Sequence, residues 1–520
     1  MSASTSAVSG SGVSASAKAA TSATGESVPT VPLLIGGEPV VTGEWLDVMD
    51  PAAPQRLVGR AALASEAHSR RAVDAAAKAA EGWGAIEPRR RAEILLAALD
   101  ALEAERSQNA ALLVSENGKV RGEAEVDVAV FVGRFRLAAS LVDELSEPRR
   151  LPRASNAHGS SASLPPGAPP FRTEITHLPL GVVTIVVPFN WPLAILSASL
   201  PFALVAGNAV IVKPPPTAPL AVTRVLSALA SKLPSGVLSV VSGSNQAVAP
   251  LITDPRVGRL VFTGSTTAGK TMMQLAASNL TRVTLELGGN DPALVLEDAD
   301  LDRPTLERLA RSTFLTTGQV CMAIKRIYVH RTRYDELVSG LSDVLSAQRI
   351  GAGSLPTSTM GPLNSARQRD YVRDLCAEAR AAGHEVREFG TLDEAALEAG
   401  GHFLRPALVL DPTPNLRIVT EEQFGPAVPI LPYTNVDSVI SQVNSEWSGL
   451  GSSVWSRDFD HAARVAARLR VGTTWVNNAS AMAIDDRAPF GGFRQSGMGR
   501  ELGSEGLREF TEPHTVTFPA

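Results

Sequence analysis

The sequence predicts an α/β fold with two doubly wound domains and a small β arm. Continuous apolar runs at residues 182–187 and 209–212 are typical of parallel strands that are covered on both faces. Helical apolar patterns separate such runs, and a second block of alternating strands and helices begins at Ala293. The chain has 520 residues, 44% of them hydrophobic. A chain of this length holds roughly three domain-sized units.

The part of the chain before the first buried strand is predicted to be mainly helical. Folding signals start near Val31, and apolar residues recur at helical spacing from His68 to about Leu145. The segment 116–119 is predicted to interrupt this helical stretch with a helix end and a turn. Residues 148–172 are rich in Pro, Ser and Gly, which is typical either of an interdomain linker or of an extended arm.

Strands and helices then alternate through two blocks. The predicted elements of the first block, in chain order, are strand 182–187, helix 196–205, strand 209–212, helix 222–229, strand 237–241, strand 260–263, a helix from about Lys270, and strand 282–287. Those of the second block are strand 293–296, helix 337–345, and strands 408–410, 427–431 and 473–476. A last strand-like piece, 515–518, has the pattern of an edge that could pair with another chain.

Composition excludes several classes of function. The net charge is −5, so the chain lacks the basic surplus of proteins that bind nucleic acid or anionic membranes. Its two cysteines, Cys321 and Cys376, give no disulfide framework and suit a reducing cytosol. No apolar run reaches the length of a membrane span. We therefore expect a cytoplasmic protein without nucleic-acid or membrane partners.

The first thirty residues are rich in Ser, Ala and Gly, with Lys18 and Glu26 as their only charged side chains. A secretory signal would need a basic start and an apolar core, and an organellar peptide would need several arginines. We interpret residues 1–30 as a disordered tail.

Cys321 lies on a connection between two predicted elements. Before it runs a helical pattern that Asp302 can cap and that carries Pro304 in its first turn. After it, residues 326–330 alternate between apolar and polar as a half-buried strand does. A loop between ordered elements is a usual place for a nucleophile, although a lone cysteine is more often a small buried hydrophobe. The functional interpretation therefore depends on the rest of the chain.

Seven segments match motifs of one enzyme family, in the family's order. They are PFNWP at 188–192, AGNAVIVKP at 206–214, FTGST at 262–266, LELGG at 285–289, GQVC at 318–321, EEQFGP at 421–426 and PFGG at 489–492. In these segments the sequence resembles the aldehyde dehydrogenase superfamily, and the resemblance covers residues 31–520. Each motif alone is a weak signal, but seven in order leave little room for chance.

The chemistry of aldehyde oxidation asks for three residue types that these motifs supply. An aldehyde carbon can release a hydride once a thiolate has added to it, and the resemblance assigns that nucleophile to Cys321. It implies that Asn190 donates a hydrogen bond to the oxyanion, where the alternative is a turn residue between prolines. It implies that Glu286 is the base for hydrolysis of the thioester, where the alternative is a solvated carboxylate at a strand end.

The resemblance also implies a site for NAD, with NADP as the alternative cofactor. The candidate residues are Lys213, Thr263, Gly264, Ser265, Gly269, Leu287, Glu422 and Phe424. A glycine loop that opens a helix offers backbone donors to a pyrophosphate. Lys213 matches the family lysine at the adenosine ribose, Glu422 matches the carboxylate at the nicotinamide ribose, and Phe424 packs beside that ribose. Without the resemblance, Lys213 and Glu422 could equally well be surface charges, and Phe424 could equally well be a core aromatic residue. No metal site is predicted.

Two positions depart from the family pattern. Many NAD-using members carry a Glu three residues after the lysine, but this chain has Pro216, which has neither a side-chain acceptor nor a charge. Asn290 replaces the Lys that commonly follows the two glycines at 288–289. Pro216 therefore predicts weakened discrimination between NAD and NADP.

Three other classes of protein could carry a cysteine such as Cys321 or a fold of this kind. A cysteine hydrolase needs a histidine beside Cys321, and His330, nine residues along a strand, would lie about 25–30 Å away. His177 or His402 could approach only through the tertiary fold. A catalytically silent relative would be expected to lose Cys321 or Glu286, and an enzyme that transfers the acyl group to coenzyme A should lack a working water base. Both residues are present, which favours hydrolysis to the acid.

Alignment to the family predicts the substrate tunnel and the domain boundaries. The tunnel walls would include Trp191, Ile195, Val320, Met322, Ile484 and Phe490. These side chains are apolar, which favours an aromatic or medium aliphatic aldehyde over a charged semialdehyde. Residues 31–147 and 178–288 would form the dinucleotide-binding domain, and residues 289–495 the catalytic domain. Residues 148–177 and 496–520 would form the oligomerisation arm and tail of a homodimer or homotetramer.

Overall fold

The computed structural model describes residues 28–151 and 171–519, in five sheets. The tail predicted for residues 1–30 and the middle of the predicted arm, 148–177, therefore lie largely outside the described residues. Two large sheets, made mostly of parallel strands, are flanked by helices, which confirms the predicted α/β class. No helix in the described part of the chain is both long and apolar enough to cross a membrane.

The strands of the described residues are β1 (Thr30–Val31), β2 (Leu33–Ile35), β3 (Glu38–Val40), β4 (Trp45–Asp50), β5 (Ala53–Ala62), β6 (Arg149–Arg150), β7 (Phe171–Pro179), β8 (Val182–Val186), β9 (Ala209–Lys213), β10 (Leu238–Val240), β11 (Val257–Thr263), β12 (Arg282–Glu286), β13 (Pro292–Val295), β14 (Arg326–His330), β15 (Arg349–Ile350), β16 (Glu385–Glu388), β17 (Thr391–Leu392), β18 (Ala407–Leu410), β19 (Ala427–Tyr433), β20 (Gly451–Trp455), β21 (Thr473–Val476), β22 (Gly497–Met498) and β23 (Thr511–Pro519).

The α-helices are α1 (Glu66–Gly84), α2 (Pro88–Ala97), α3 (Leu99–Ala104), α4 (Arg106–Asn117), α5 (Arg121–Ser140), α6 (Asp143–Ser146), α7 (Pro192–Ser197), α8 (Leu200–Val205), α9 (Pro219–Ala230), α10 (Asn245–Val248), α11 (Pro250–Thr253), α12 (Thr266–Ala277), α13 (Arg303–Phe314), α14 (Tyr334–Ser346), α15 (Ala366–Ala381), α16 (Glu394–Glu398), α17 (Arg417–Thr420), α18 (Val436–Ser445), α19 (Phe459–Ala466) and α20 (Gly503–Arg508).

The first large sheet has eight strands in the order β22-β12-β11-β8-β9-β10-β2-β3. Its five central strands, β12 to β10, are parallel, and antiparallel strands close both edges. From β8 the chain moves outward through β9 and β10, then returns to place β11 on the other side of β8. This reversal is a topological switch point, where a crevice opens beyond the carboxyl ends of the strands.

The second large sheet has the order β16-β18-β19-β14-β13-β20-β21, and all its neighbours are parallel except β16 and β18. Strand β14 has the predicted bounds, and α13, which precedes it, is capped as predicted. Asp302 accepts a hydrogen bond from the backbone N–H of Thr305 at 2.9 Å. The connection from α13 to β14 carries Cys321.

A third sheet, β23-β7-β6, forms the small β arm. The predicted last strand is longer than expected, and one of its edges pairs with β7 of the same chain. The two strands pair antiparallel along nine residues, from Thr511 opposite Pro179 to Pro519 opposite Phe171. Among the described strands, β23 has β7 as its only neighbour, so its other edge is open.

Two of the predicted helices differ from the structure in ways that have a clear physical cause. The helix predicted at 196–205 is two helices, α7 and α8, because Pro201 cannot donate the hydrogen bond that would continue the first one. Helix α12 begins at Thr266, four residues before the predicted start. Its N-cap is Ser265, whose hydroxyl accepts a hydrogen bond from the N–H of Ala268 at 3.3 Å. Gly269 therefore lies within the helix rather than in the loop.

Candidate active site

The backbone before Cys321 has an uncommon conformation. Thr316, Thr317 and Gly318 are consecutive residues in the left-handed region, with φ of 51°, 58° and 72°. For a β-branched residue this conformation costs of order 1–3 kcal/mol, so the surroundings must impose it. A side chain at Gly318 is excluded, because a Cβ there would lie 2.3 Å from the carbonyl oxygen of Gly425. The thiol therefore follows a turn that the surrounding fold holds in place.

Side chains from other segments hold this turn. Glu123 accepts a hydrogen bond from the N–H of Thr316 at 2.8 Å, and the Thr317 hydroxyl donates to the carbonyl of Gly361 at 2.9 Å. The amide nitrogen of Asn190 donates to the carbonyl of Gln319 at 3.0 Å. Asn190 follows β8, so this bond ties the crevice of the first sheet to the loop that carries Cys321.

Glu286 is the last residue of β12 and is buried, with 4% of its surface exposed. Neither of its carboxylate oxygens has a hydrogen-bond partner among the residues that the structure describes. A Cβ at Gly491 would stand 2.8 Å from its Oε1, so the glycine of the PFGG segment makes room for the carboxylate. Burial raises the pKa of Glu286 well above its usual range, nearby Glu501 adds to the rise, and Arg500 opposes it.

Two cavities meet at these residues. One, of about 170 Å³, lies between α5, α7 and the segment 481–490. The other is a cleft of about 870 Å³ along the carboxyl ends of β8, β11 and β12. The residues that line both are Asn190, Ile195, Thr263, Glu286 and Cys321. All three predicted catalytic residues therefore stand where the two cavities join.

The smaller cavity has mainly apolar walls. All six residues predicted to wall a tunnel line it: Trp191, Ile195, Val320, Met322, Ile484 and Phe490. Helix α5 adds Val126, Val130 and Arg134, which lie four residues apart on one helix face. Arg134 donates hydrogen bonds to Asp486 at 2.8 Å and to the carbonyl of Ala194 at 2.6 Å.

The larger cleft contains most of the predicted cofactor residues. Those that line it are Thr263, Gly264, Ser265, Leu287, Glu422 and Phe424. The N-terminus of α12, with its unpaired backbone donors, begins directly after Ser265, which suits a pyrophosphate. Tyr371 and Trp447 also line the cleft, and no motif of the sequence marks either residue.

Two predicted cofactor residues are not among those that line this cleft. Lys213 ends β9, and its ammonium donates a 3.4 Å hydrogen bond to the carbonyl of Pro214. Gly269 faces the side chain of Leu287, and a Cβ at position 269 would stand 2.5 Å from the Cδ2 of that leucine. This glycine therefore lets α12 pack closely on the strand that ends in Glu286.

The charges around the thiol are mostly negative. Burial raises the pKa of the Cys321 thiol to about 12, and nearby Glu422 adds to the rise, whereas Lys325 opposes it. Burial likewise raises the pKa of Glu422 to about 7, again opposed by Lys325. The thiol therefore needs a proton acceptor or a stabilising charge to react near neutral pH.

The cysteine hydrolase alternative would need a histidine beside Cys321. Among the described residues, those that line the two cavities include no histidine. His330 instead bonds Thr332, and His177 bonds Thr511 in the arm sheet. In residues 28–151 and 171–519 there is no group of three or more His, Cys, Asp or Glu side chains that could hold a metal ion.

Comparison with known proteins agrees with this geometry. Residues 40–516 match the model of the aldehyde dehydrogenase family. The mitochondrial aldehyde dehydrogenase of Leishmania tarentolae is 35% identical over 492 residues, which cover 94% of each chain. The crystal structure of a putative aldehyde dehydrogenase from Burkholderia cenocepacia superposes with a TM-score of 0.87 at 32% identity, covering 94% of this chain and 97% of that one.

A cofactor-bound structure is also similar. A betaine aldehyde dehydrogenase mutant from Staphylococcus aureus, in complex with NAD⁺, superposes with a TM-score of 0.86 at 28% identity, covering 94% of this chain and 97% of that one. The chain therefore belongs to the aldehyde dehydrogenase family and is an NAD(P)-dependent aldehyde dehydrogenase.

Proposed function

We propose that the enzyme oxidises an apolar aldehyde to the carboxylic acid, with Cys321 as nucleophile, Asn190 as oxyanion donor and Glu286 as base. The observation that carries this proposal is the junction of the two cavities. An aldehyde in the smaller cavity and a cofactor in the larger one would meet only beside these side chains. Because Glu286 lies at the same junction, a water molecule there could be activated to attack an acyl group on Cys321.

Each of the three residues has a distinct role in the proposed reaction. The Cys321 thiolate adds to the aldehyde carbon and forms a tetrahedral thiohemiacetal, whose oxyanion accepts a hydrogen bond from Asn190. The Asn190 amide has two hydrogens, so its bond to Gln319 leaves one for the substrate. When bound, the nicotinamide cofactor accepts the hydride that leaves the substrate carbon.

Glu286 then completes the turnover. It takes a proton from water, which attacks the thioester on Cys321 and releases the acid and the thiolate. A carboxylate with a raised pKa is a stronger base than a solvated one, and this suits work near neutral pH.

The cofactor residues form a second part of the proposal. Thr263, Gly264 and Ser265, with the start of α12, would hold the pyrophosphate, and Leu287 would border it. Glu422 and Phe424 would hold the nicotinamide ribose, and Lys213 the adenosine ribose. Gly269 would contribute through the close packing of α12.

The size and lining of the smaller cavity support the substrate class. Its volume of about 170 Å³ is close to the roughly 150 Å³ of an apolar cavity that binds benzene. One aromatic ring or a short aliphatic chain therefore fits. The alternative is a semialdehyde, whose carboxylate would need a free cation.

Arg134 is the basic side chain that lines this cavity, and both of its terminal nitrogens already have hydrogen-bond partners. Its two terminal nitrogens bond Asp486 and the carbonyl of Ala194. Asp486→Asn should free the guanidinium and raise kcat/KM for succinic semialdehyde at least about tenfold relative to benzaldehyde. Asp485→Asn, whose carboxylate pairs with Arg487 instead, is the matched control. If wild type already prefers succinic semialdehyde, the apolar substrate class is wrong.

Replacement of the catalytic residues tests the mechanism. Cys321→Ala should abolish turnover and leave cofactor binding intact, whereas Cys376→Ala should be nearly silent. Glu286→Gln should give a burst of reduced cofactor followed by slow steady turnover, because the acyl-enzyme accumulates. A steady-state rate equal to wild type in Glu286→Gln would remove Glu286 from the role of base.

Assembly and location complete the proposal. We propose a homodimer or homotetramer in which the open edge of β23 meets a second subunit, because an exposed nine-residue strand edge otherwise invites aggregation. The cytoplasmic location stays a prediction from the composition of the chain.

A further inference from the structure

Lys325 is a buried lysine four residues after the proposed nucleophile, with 2% of its surface exposed. Its ammonium donates hydrogen bonds to the carbonyl of Val320 at 2.5 Å and to that of Gly318 at 3.3 Å. Glu422 lies 4.0 Å from it, and the Phe424 ring centroid lies 5.2 Å away. One cation thus contacts both the turn that carries Cys321 and the two residues proposed at the nicotinamide ribose.

We propose that Lys325 is a positioning residue whose buried ammonium stabilises the Cys321 thiolate and holds Glu422 against the same turn. An ammonium has three donors and no acceptor, and the neighbours of this one are two carbonyls and a carboxylate. A compact point charge among acceptors suits this role better than the planar fork of an arginine. The inference rests on the proposed function, since it takes Cys321 as the nucleophile.

The charges around the thiol explain why a cation is needed there. Glu422, Asp291 and Glu286 each disfavour the thiolate, whereas Lys325 favours it. Asp291 is itself buried, and neither of its side-chain oxygens has a partner among the described residues. Burial lowers the pKa of Lys325, while Glu422, Cys321 and Asp291 oppose that fall. Without the ammonium, the thiolate would form beside three acidic side chains.

The position of the lysine is also informative. Asn290, which follows the two glycines at 288–289, donates its amide hydrogen to the carbonyl of Val419 at 2.9 Å. Arg326, next to Lys325, points away from the thiol, to the carbonyl of Asn290 and to Glu446. Lys325 is therefore the basic side chain of this region that is directed at the Cys321 turn.

The test measures the thiol directly, without dehydrogenase activity. In a Cys376→Ala background, the rate of alkylation of Cys321 by iodoacetamide is followed against pH in wild type, Lys325→Met and Lys325→Gln. Loss of the Lys325 charge from the neighbourhood of the thiol should raise the midpoint of the pH–rate curve by about one pH unit or more. At pH values below that midpoint, alkylation should be about tenfold slower. Lys270→Met, which removes an exposed lysine of α12, should leave the midpoint unchanged.

The two Lys325 variants separate charge from hydrogen bonding and from folding. Lys325→Gln keeps a donor for the carbonyl of Val320 but loses the charge, so it should also raise the midpoint, and circular dichroism checks that it is folded. A second readout is the Michaelis constant for NAD, which should rise in both variants because Glu422 loses its partner. An unchanged alkylation midpoint in folded Lys325→Gln would overturn the inference. Full activity in Cys321→Ala would instead overturn the proposed function, which keeps the two failures distinct.

Discussion

Replacing Gly491 by alanine tests whether the fold holds the carboxylate of Glu286 in one place. The added Cβ would lie 2.8 Å from Glu286 Oε1, 2.9 Å from the carbonyl oxygen of Gly499 and 3.0 Å from Cδ of Arg500. Ordinary van der Waals contacts of a Cβ begin near 3.4 Å, so Oε1 of Glu286 must move away by about 0.6 Å. The side chain moves rather than the backbone, because the carbonyl of Gly499 is held more firmly. A misplacement of about 1 Å costs up to roughly 100-fold in rate. We expect kcat to fall about tenfold to 100-fold.

The assay for Gly491→Ala is stopped-flow absorbance of reduced cofactor. A fast burst followed by a slow steady rate is expected, because water attack is impaired while the earlier steps proceed. The free energy of unfolding should fall by about 1–3 kcal/mol through overpacking. Gly82→Ala is the matched control, since a Cβ at position 82 meets no atom within 4 Å. A steady-state rate within about twofold of wild type would refute the reasoning.

Two further predictions concern the cofactor and the arm. Pro216 is exposed three residues after Lys213, and it offers neither hydrogen bonds to ribose hydroxyls nor repulsion of a 2′-phosphate. Wild type should therefore use NADP appreciably, and Pro216→Glu should shift the ratio of kcat/KM for NAD to kcat/KM for NADP towards NAD by about ten- to 100-fold. If wild type prefers NAD by more than about 1000-fold and the substitution leaves that preference unchanged, other residues determine cofactor specificity. Deleting residues 511–520 should give smaller particles in light scattering, and a full-length protein that runs as a monomer would contradict the proposed assembly.

The strands and the proposed catalytic trio were predicted from the sequence for different reasons. Buried parallel strands such as β8 and β9 need apolar residues on both faces, so their pattern is continuous and local. Cys321 and Glu286 were predicted because nucleophilic and general-base chemistry needs particular residue types, and short motifs mark their positions. The start of α12 was missed because Gly269 suggested a loop, although Ser265 is an ordinary N-cap signal.

The residues that sequence analysis overlooked act through the tertiary fold. Arg134 and Asp486 are 352 residues apart, and the sequence around neither residue predicts their ion pair. The spacing of Val126, Val130 and Arg134 could have indicated a shared face, but not which cavity that face borders. Lys325 follows a matched motif, and its role depends on Glu422, which lies almost 100 residues further along the chain.

The pairing of β22 with β12 has a consequence for how the protein is made. Gly497 lies opposite Glu286 in the sheet, and the N–H of Leu287 donates to the carbonyl of Ser496 at 2.9 Å. During synthesis on the ribosome, more than 200 further residues must be added after β12 before its neighbour β22 emerges. Until then β12 presents an unpaired edge, the kind of surface on which nascent chains associate wrongly. The sheet edge that holds Glu286 is thus completed among the last events of synthesis, and chains that stop short of residue 497 leave that edge open.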